Sequence, residues 1–285
     1  MEPFKVYLNG AILDEVAAGL PVNDVGFLHG ASAFTTMAAF HGRPFRLDRH
    51  LGRLLDTVGL LGLTTDQTAD SLAAAVTAVL AANELRDRAR IRVTLSGGDL
   101  RTGEPTALVT AAPLPEYPPE FYTRGVRAVV APFKQLLGDP TFGYKTGCYF
   151  PRILARREAA CKGAFEALWF TPANRLAEGC FTNVFLVTDG RLRTPPRDTP
   201  VLPGVTREAV LELAAELDIP ADDEGELIID DLLGAGEVFV TASTMGVVPV
   251  VQVEADTVGD GTVGPTTQRL MDALNQLIDR ETRSA

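Results

Sequence analysis

Apolar positions along the chain repeat with two different periods, which separate predicted helices from predicted strands. Between residues 48 and 62, leucine and valine recur at helical spacing, and Asp48 is the predicted N-cap. Further helices are predicted at 66–82, 151–162, 205–217 and 265–281. Strands are predicted at 4–8, 33–40, 90–96, 106–112, 126–132, 167–170, 183–188, 237–242 and 247–253.

A proline-rich stretch divides this pattern in two. Residues 113–120 read PLPEYPPE, with four prolines in eight positions, and proline stiffens the chain while removing backbone donors. We therefore predict a small N-terminal domain at 1–112, a linker at 113–124 and a larger C-terminal domain at 125–285. Both halves mix helices and strands, so the predicted class is α/β mixed.

Composition narrows the possible functions. The chain has 285 residues, 46% hydrophobic and 22% charged, with a net charge of −11. Such a charge disfavours nucleic acid and anionic membranes as partners, and no apolar run is long enough to span a membrane. Three widely spaced cysteines fit a reducing cytoplasm, and the histidines show no metal-ligand spacing, so no metal is expected.

Lys145 is the first candidate for chemistry. It lies between Gly143 and Gly147 and is one of only four lysines, against 22 arginines. A desolvated lysine can lose its proton and attack a carbonyl, whereas arginine keeps its proton. One hypothesis is therefore that Lys145 forms a Schiff base, either with a sugar-type carbonyl or with pyridoxal phosphate. The alternative is an ordinary surface lysine.

A pyridoxal phosphate site also needs an anion cradle, an acid near the pyridine nitrogen and apolar walls. Val205 and Thr206 open a predicted helix whose amides can bind an anion. Ser243 and Thr244 follow an apolar strand and can donate hydroxyl hydrogen bonds, and Arg53 can bind a phosphate with its guanidinium. Each of these residues also has an ordinary structural interpretation.

Two further residues complete this set. Glu178 precedes an apolar strand, and a partly buried carboxylate there needs a partner, which a protonated pyridine nitrogen would provide. Tyr149 lies four residues after Lys145 and could orient the lysine or bind the phenolic oxygen of the cofactor; core packing is the alternative.

Together these stretches resemble the class IV, fold-type IV pyridoxal-phosphate enzymes. That family contains branched-chain and D-amino acid aminotransferases, (R)-selective amine transaminases and aminodeoxychorismate lyases. The resemblance runs from about Tyr7 to Val253. Its pieces are VNDVGFLHGASAFTT (22–36), FRLDRHLGRL (45–54), YKTGCYFPRILARREA (144–159), RLAEGCFTNVFLV (175–187), LPGVTRE (202–208) and EVFVTASTMGVVPV (237–250).

The resemblance implies a fold and a set of roles. It implies a two-domain enzyme with the site between the domains, assembled as a homodimer. Lys145 matches the lysine that binds the cofactor and moves the proton, Glu178 the acid at the pyridine nitrogen, and Tyr149 the tyrosine near the phenolic oxygen. The implied phosphate contacts are Arg53, Val205, Thr206, Ser243 and Thr244.

The resemblance leaves the reaction open between two activities. Branched-chain enzymes have an FEG-type sequence where this chain has Phe34-Thr35-Thr36, and such a run is typical of the lyases, which place Thr36 near the catalytic lysine. The segments around Lys145 and 202–208 instead favour the transaminases. Arg101 matches a carboxylate-binding arginine in both groups, and an exposed loop charge is an equal alternative.

Our first prediction is therefore an aminotransferase acting on a small amino donor and a keto acid. Phe34 and Arg101 are its predicted substrate contacts. The second prediction is 4-amino-4-deoxychorismate lyase. A non-catalytic binding protein on this scaffold and a Schiff-base aldolase without cofactor are the remaining alternatives.

Overall fold

The structure is a computed structural model that describes residues 3–283. Spatial contacts divide them into two compact units. Unit 1 contains residues 3–115, 144–148 and 278–283, and unit 2 contains residues 116–143 and 149–277. The chain thus leaves unit 2 for five residues around Lys145 and then returns.

Unit 1 is built on an antiparallel sheet with helices on one face. A 3₁₀ turn at Glu15–Ala17 follows the first hairpin. Its strands are β1 (Lys5–Leu8), β2 (Ala11–Asp14), β3 (Ser32–Phe40), β4 (Arg43–Pro44), β5 (Ala89–Ser96) and β6 (Thr106–Pro113), and its helices are α1 (Val25–His29), α2 (Leu47–Leu60) and α3 (Ala69–Ala82).

The strand order of this sheet, over the described residues, is β2-β1-β6-β5-β3-β4. Asn9 and Gly10 both have positive φ and join β1 to β2 in a tight hairpin. Apolar residues of α2 and α3 pack on one face of the sheet to form the core. Because side chains alternate along β3, Phe34 and Thr36 point to the opposite face.

Unit 2 is built on a mixed sheet. Its strands are β7 (Val126–Lys134), β8 (Glu166–Phe170), β9 (Leu176–Gly179), β10 (Asn183–Thr188), β11 (Arg191–Arg193), β12 (Ala221–Asp222), β13 (Glu237–Ala242), β14 (Gly246–Val253) and β15 (Asp256–Thr257). Its helices are α4 (Glu120–Thr123), α5 (Phe150–Cys161), α6 (Val205–Glu216), α7 (Ile229–Leu233) and most of α8 (Pro265–Thr282).

The main path of this sheet, over the described residues, runs β12-β11-β10-β13-β14-β7-β8-β9, and β15 pairs with β14. Two apolar clusters cover its two faces. In β8, Leu168 and Phe170 belong to one cluster, and Ala167 and Trp169 belong to the other. This burial on both faces explains the nearly continuous apolar runs of the central strands.

One local prediction was wrong, and one strand that carries a site residue was missed. Asp48 is not the N-cap of α2, since the cap position is Arg46 with a φ of 51° and Asp48 lies in the first turn. Residues 176–179 were not predicted as a strand, yet they form β9 and carry Glu178. All four of these residues are buried, so the polar-apolar alternation that predicts a strand is absent.

Candidate active site

Lys145 lies against the first half of β3. Its carbonyl accepts a hydrogen bond from the Phe34 amide at 2.8 Å, and the Gly147 amide donates to the Ser32 carbonyl at 2.8 Å. A side chain at Gly147 would place its Cβ 2.6 Å from the Ser32 Oγ, so only glycine allows this close pairing. The two hydrogen bonds fix the backbone of the lysine relative to the sheet.

The Lys145 side chain is half-buried, and its Nζ lies 5.1 Å from the centroid of the Phe34 ring. Phe34 is 7% exposed and also contacts Arg92, whose Cζ lies 3.6 Å from the ring centroid. The structure thus brings together Lys145 and Phe34, which were predicted separately as the catalytic lysine and a substrate contact. Arg92 is a neighbour that the sequence did not reveal.

On the core face of β3, a polar chain links α2 to the strand. Arg53 Nη2 donates to the Thr35 Oγ1 at 3.1 Å, and the Thr35 Oγ1 lies 2.9 Å from the His50 Nδ1. Thr35 and His50 are fully buried. Since the Thr35 oxygen accepts from Arg53, its own hydrogen can go to a neutral His50, and Arg53 is held in one orientation.

The electrostatic setting of His50 agrees with a neutral ring. Burial is the main reason that the pKa of His50 lies well below its ordinary value of 6.5, and the positive charges of Arg53 and Lys145 lower it further. Neither Thr35 nor His50 was a predicted site residue. The threonine hydroxyl inside an apolar strand was the available signal.

Glu178 lies in β9 of unit 2. Its carboxylate is buried, with the Oε1 2.5 Å from the Arg152 Nη2 and the Oε2 accepting from the Leu202 amide at 2.9 Å. Arg152 was not predicted, because an arginine on a helix is usually solvated. Burial lowers the pKa of Arg152, but Glu178 and Tyr149 more than offset that effect, so the net change is upward.

Tyr149 precedes α5, and its ring centroid lies 5.6 Å from that of Phe181. The adjacent Cys180 thiol is buried, and burial together with the nearby Glu166 raises its pKa to about 12. Cys180 therefore remains a protonated, unreactive thiol at neutral pH.

The predicted phosphate contacts of unit 2 lie on two neighbouring elements. Val205 and Thr206 form the first turn of α6, and both are buried. Thr206 Oγ1 lies 3.5 Å from the Ser243 Oγ, in the turn between β13 and β14. Thr244 follows in the same turn, and its Oγ1 lies 3.3 Å from the Tyr117 hydroxyl.

Gly204 allows the Asn183 side chain to pack against the start of α6. A Cβ at this position would lie 2.0 Å from the Asn183 Oδ1, so this close approach requires glycine. Backbone amides, hydroxyls and the Arg53 guanidinium are the donors that a phosphate group needs. Unit 1 provides an amine at Lys145 and unit 2 a buried carboxylate at Glu178, so the residue types of each unit fit pyridoxal phosphate.

Arg101 is exposed in the loop between β5 and β6. Its amide donates to the Asp99 Oδ1 at 2.6 Å, and its side chain forms no hydrogen bond or ion pair with the residues that the structure describes. Its predicted substrate role stays a prediction.

A cavity of about 370 Å³ lies on the sheet face opposite the core of unit 1. The register pairs Thr36 with Arg92 across β3 and β5. Its lining residues are Phe4, Val6, Glu15, Thr36, Arg90, Arg92, Thr110, Ala111 and Ala112. Thr36 was predicted to be catalytic, and the structure places it beside two arginines.

The sequence matches a known family over most of its length. Residues 32–253 match the family model for amino-transferase class IV. The chain belongs to the class IV aminotransferase family. The predicted enzyme class, aminotransferase activity, fold type and pyridoxal phosphate cofactor are thereby confirmed.

Individual relatives agree with this assignment. A provisionally named branched-chain-amino-acid aminotransferase of Methanocaldococcus jannaschii is 32% identical over 280 residues, which cover 96% of each chain. The D-alanine aminotransferase of Bacillus licheniformis is 27% identical over 283 residues, 98% of each chain. These class IV aminotransferases thus include enzymes named for different substrates.

Solved structures give the same result for the fold. The crystal structure of the branched-chain amino acid aminotransferase of Escherichia coli has a TM-score of 0.92 and 28% identity, and the match covers 99% of this chain and 97% of that one. A branched-chain amino acid aminotransferase from T.th. with pyridoxamine 5′-phosphate also has a TM-score of 0.92, at 26% identity, over 99% of this chain and 96% of that one. No helix within residues 3–283 is both long and apolar enough to cross a membrane.

Proposed function

We propose that this class IV aminotransferase uses Lys145 as its catalytic base, with a carboxylate-bearing amino donor and a keto acid as substrates. The observation that carries the proposal is the docking of Lys145 on β3, where two hydrogen bonds fix the backbone around the lysine and its amine lies 5.1 Å from the centroid of the Phe34 ring. A base must be held in one position to move a proton repeatedly.

Pyridoxal phosphate, when bound, supplies an aldehyde for the amino group and a ring that accepts electrons. The residues of this chain would hold it and move the proton. Arg53, Thr206 and Ser243 would bind its phosphate, together with Thr244 and the amides of Val205 and Thr206. The Glu178 carboxylate would bind its pyridine nitrogen, and Tyr149 its phenolic oxygen.

The Lys145 amine would bind the aldehyde until the donor replaces it. Its Nζ would then accept the proton from the donor Cα and would deliver it to the C4′ carbon of the bound cofactor. Phe34 would exclude water from one side of this amine, and a drier environment strengthens the electrostatic interactions there. Thr36 is proposed to assist near the lysine, as predicted.

Two arginines favour a keto acid with a second carboxylate. Arg90 and Arg92 line the cavity beside Thr36, and Arg92 also stacks on Phe34, which contacts Lys145. A guanidinium in such a cavity suits a carboxylate. We propose a dicarboxylic keto acid as acceptor, with Arg92 as an additional substrate contact next to the predicted Arg101.

A panel of donors and acceptors tests this function. The holoenzyme is mixed with L-amino acids, D-amino acids and amines, and the absorbance change from the pyridoxal to the pyridoxamine form is followed. We expect at least one amino acid to cause the change and a dicarboxylic keto acid to reverse it faster than a monocarboxylic one. The Arg92→Gln variant should lose that preference.

The same panel distinguishes the aminotransferase from the lyase. If no donor produces the change and aminodeoxychorismate is cleaved to 4-aminobenzoate and pyruvate, the aminotransferase assignment is contradicted. The aminotransferase names of the relatives described above support the first activity.

We also propose that the enzyme is a homodimer. In unit 1, several large apolar side chains are exposed, among them Val16 at 85%, Val22 at 77% and Phe27 at 73%. Exposed apolar surface of this kind is typical of protein interfaces. Sedimentation equilibrium should give the mass of two 30.5 kDa chains, and a single-chain mass at micromolar concentration would contradict the proposal.

A cytoplasmic location is the corresponding proposal for the compartment. Cys148, Cys161 and Cys180 are all free thiols, two of them exposed, which suits a reducing environment. Fractionation of cells that express the protein tests this, and recovery outside the cytoplasmic fraction would contradict it.

A further inference from the structure

Arg152 occupies an unusual environment for an arginine. It lies in α5, is 7% exposed, and is surrounded by aromatic rings. Its Cζ lies 5.6 Å from the ring centroids of Tyr149 and Trp169 and 5.8 Å from that of Phe142. The rings leave the guanidinium little freedom to move, so its donors point in fixed directions.

Those donors bind one short stretch of chain. Nη2 contacts the Glu178 Oε1 at 2.5 Å, while Nη1 donates to the Gly179 carbonyl at 2.9 Å and to the Cys180 carbonyl at 3.3 Å. Arg152 therefore holds both the carboxylate of Glu178 and the backbone that follows it. A lysine, with a single ammonium, could not match this planar set of donors.

The other carboxylate oxygen is fixed independently. Glu178 Oε2 accepts the Leu202 amide at 2.9 Å, so each oxygen has a donor in a known position. A carboxylate has about four acceptor sites, which leaves room for a further donor. The two contacts define where that donor must lie.

Stability alone is a weak reason for such a pair. Replacing a buried ion pair by apolar residues of similar size often leaves stability unchanged or improves it, whereas removing one partner leaves a buried charge unpaired. A role in orienting a functional carboxylate would explain why this buried ion pair is present.

We propose that Arg152 is a positioning residue that fixes the charge and orientation of Glu178 for the pyridine nitrogen of pyridoxal phosphate. The inference rests on the role proposed for Glu178 and extends it. Without the guanidinium, the buried carboxylate keeps only the Leu202 amide as a donor, so its charge is poorly compensated and its orientation is less firmly fixed. It then no longer stabilises a protonated pyridine nitrogen.

The experiment compares holoenzymes that carry ¹⁵N-labelled pyridoxal phosphate. The variants are Arg152→Gln, Arg152→Lys and Glu178→Gln, and the matched control is Arg156→Gln. Arg156 lies one turn further along α5, stacks on Phe165 at 4.9 Å and has no hydrogen bond or ion pair with Glu178. The readouts are the ¹⁵N resonance of the pyridine nitrogen and kcat, with thermal melting of the apoproteins as a measure of stability.

We expect the ¹⁵N resonance to move from the protonated toward the unprotonated position in R152Q and E178Q. It should move partly in R152K and not at all in R156Q. Partners that orient metal ligands are typically worth about 10- to 100-fold, and we expect kcat of R152Q to fall by a comparable factor. If R152Q does not fold, R152K alone decides the matter by its intermediate resonance.

Two contrary results are distinguishable. If E178Q shifts the resonance but the arginine variants keep the wild-type resonance and lose only thermal stability, Arg152 is merely structural and this inference is overturned. If E178Q itself keeps the wild-type resonance, the role proposed for Glu178 fails, and the inference about Arg152 fails with it.

Discussion

His50 shows how one buried side chain connects the site to the pH dependence of the fold. Its neutral ring lies 2.9 Å from Thr35, which in turn accepts a hydrogen bond from Arg53. Protonating the ring would remove its acceptor and place a third positive charge near Arg53 and Lys145. The environment that orients Arg53 therefore opposes protonation of His50.

This opposition predicts the direction of a stability change. The folded-state pKa of His50 is lowered, so between the unfolded value near 6.5 and the folded value only the unfolded chain takes up the proton. Stability from this group is complete above about pH 6.5 and declines as pH falls below it. From pH 7.5 to 5.5 the loss should be roughly 1 kcal/mol.

Denaturant unfolding of wild type and His50→Asn at these two pH values measures the effect. The stability difference between the two proteins should shrink by that amount at pH 5.5, because the variant has no imidazole to protonate. His29→Asn, at an exposed position, is the matched control. The stability difference between wild type and this variant should be the same at both pH values. A difference that is independent of pH would contradict the prediction.

Sequence could supply some site residues and not others for a physical reason. Lys145 was found because its residue type is rare in this chain and has its own chemistry. Arg152 and His50 were not, because their function depends on burial and on partners 26 and 15 positions away in sequence. A periodic pattern of apolar residues does not reveal which residues far apart in sequence will pair.

At the scale of elements, the start of α6 is closely packed. Its N-cap, Gly204, lies so close to Asn183 that an added Cβ would be 2.0 Å from the Oδ1. Asn183 Nδ2 donates to the Leu202 carbonyl at 2.9 Å, and the Leu202 amide donates to Glu178. Moving Asn183 thus disturbs both the loop before α6 and the carboxylate.

We therefore expect Gly204→Ala to weaken binding of pyridoxal phosphate by about tenfold or more, since a buried hydrogen-bond partner is lost. Fluorescence titration of the apoprotein measures this affinity. Gly59→Ala is the control, because it adds a Cβ with no atom within 4 Å on α2. It should leave affinity unchanged and stabilise the helix by up to about 1 kcal/mol. A wild-type affinity in G204A would contradict the role of this glycine.

Most helices and strands were predictable because burial of one face places apolar residues at regular intervals in the sequence. The helix predicted at 205–217 is α6 at Val205–Glu216, and the strand predicted at 183–188 is β10. The misses were short or buried on all sides. For β9, four consecutive buried residues show no alternation of polar and apolar positions.

At the scale of the whole molecule, the two units contain different parts of the proposed site. Lys145, Phe34 and Arg53 belong to unit 1, while Glu178, Tyr149 and the α6 residues belong to unit 2. Proline content indicated a division but could not show that residues 144–148 and 278–283 join unit 1, because only tertiary contacts determine this. The boundaries 1–112, 113–124 and 125–285 stay a prediction.

The covalent attachment point tests the central claim most directly. The holoenzyme is reduced with borohydride, digested and mapped by mass spectrometry, with Lys134→Arg and Lys162→Arg as control variants that retain Lys145. We predict that the pyridoxyl label lies on the peptide containing Lys145 and is absent from Lys145→Arg. A label on another lysine, or no label on a protein that binds the cofactor, would contradict the account.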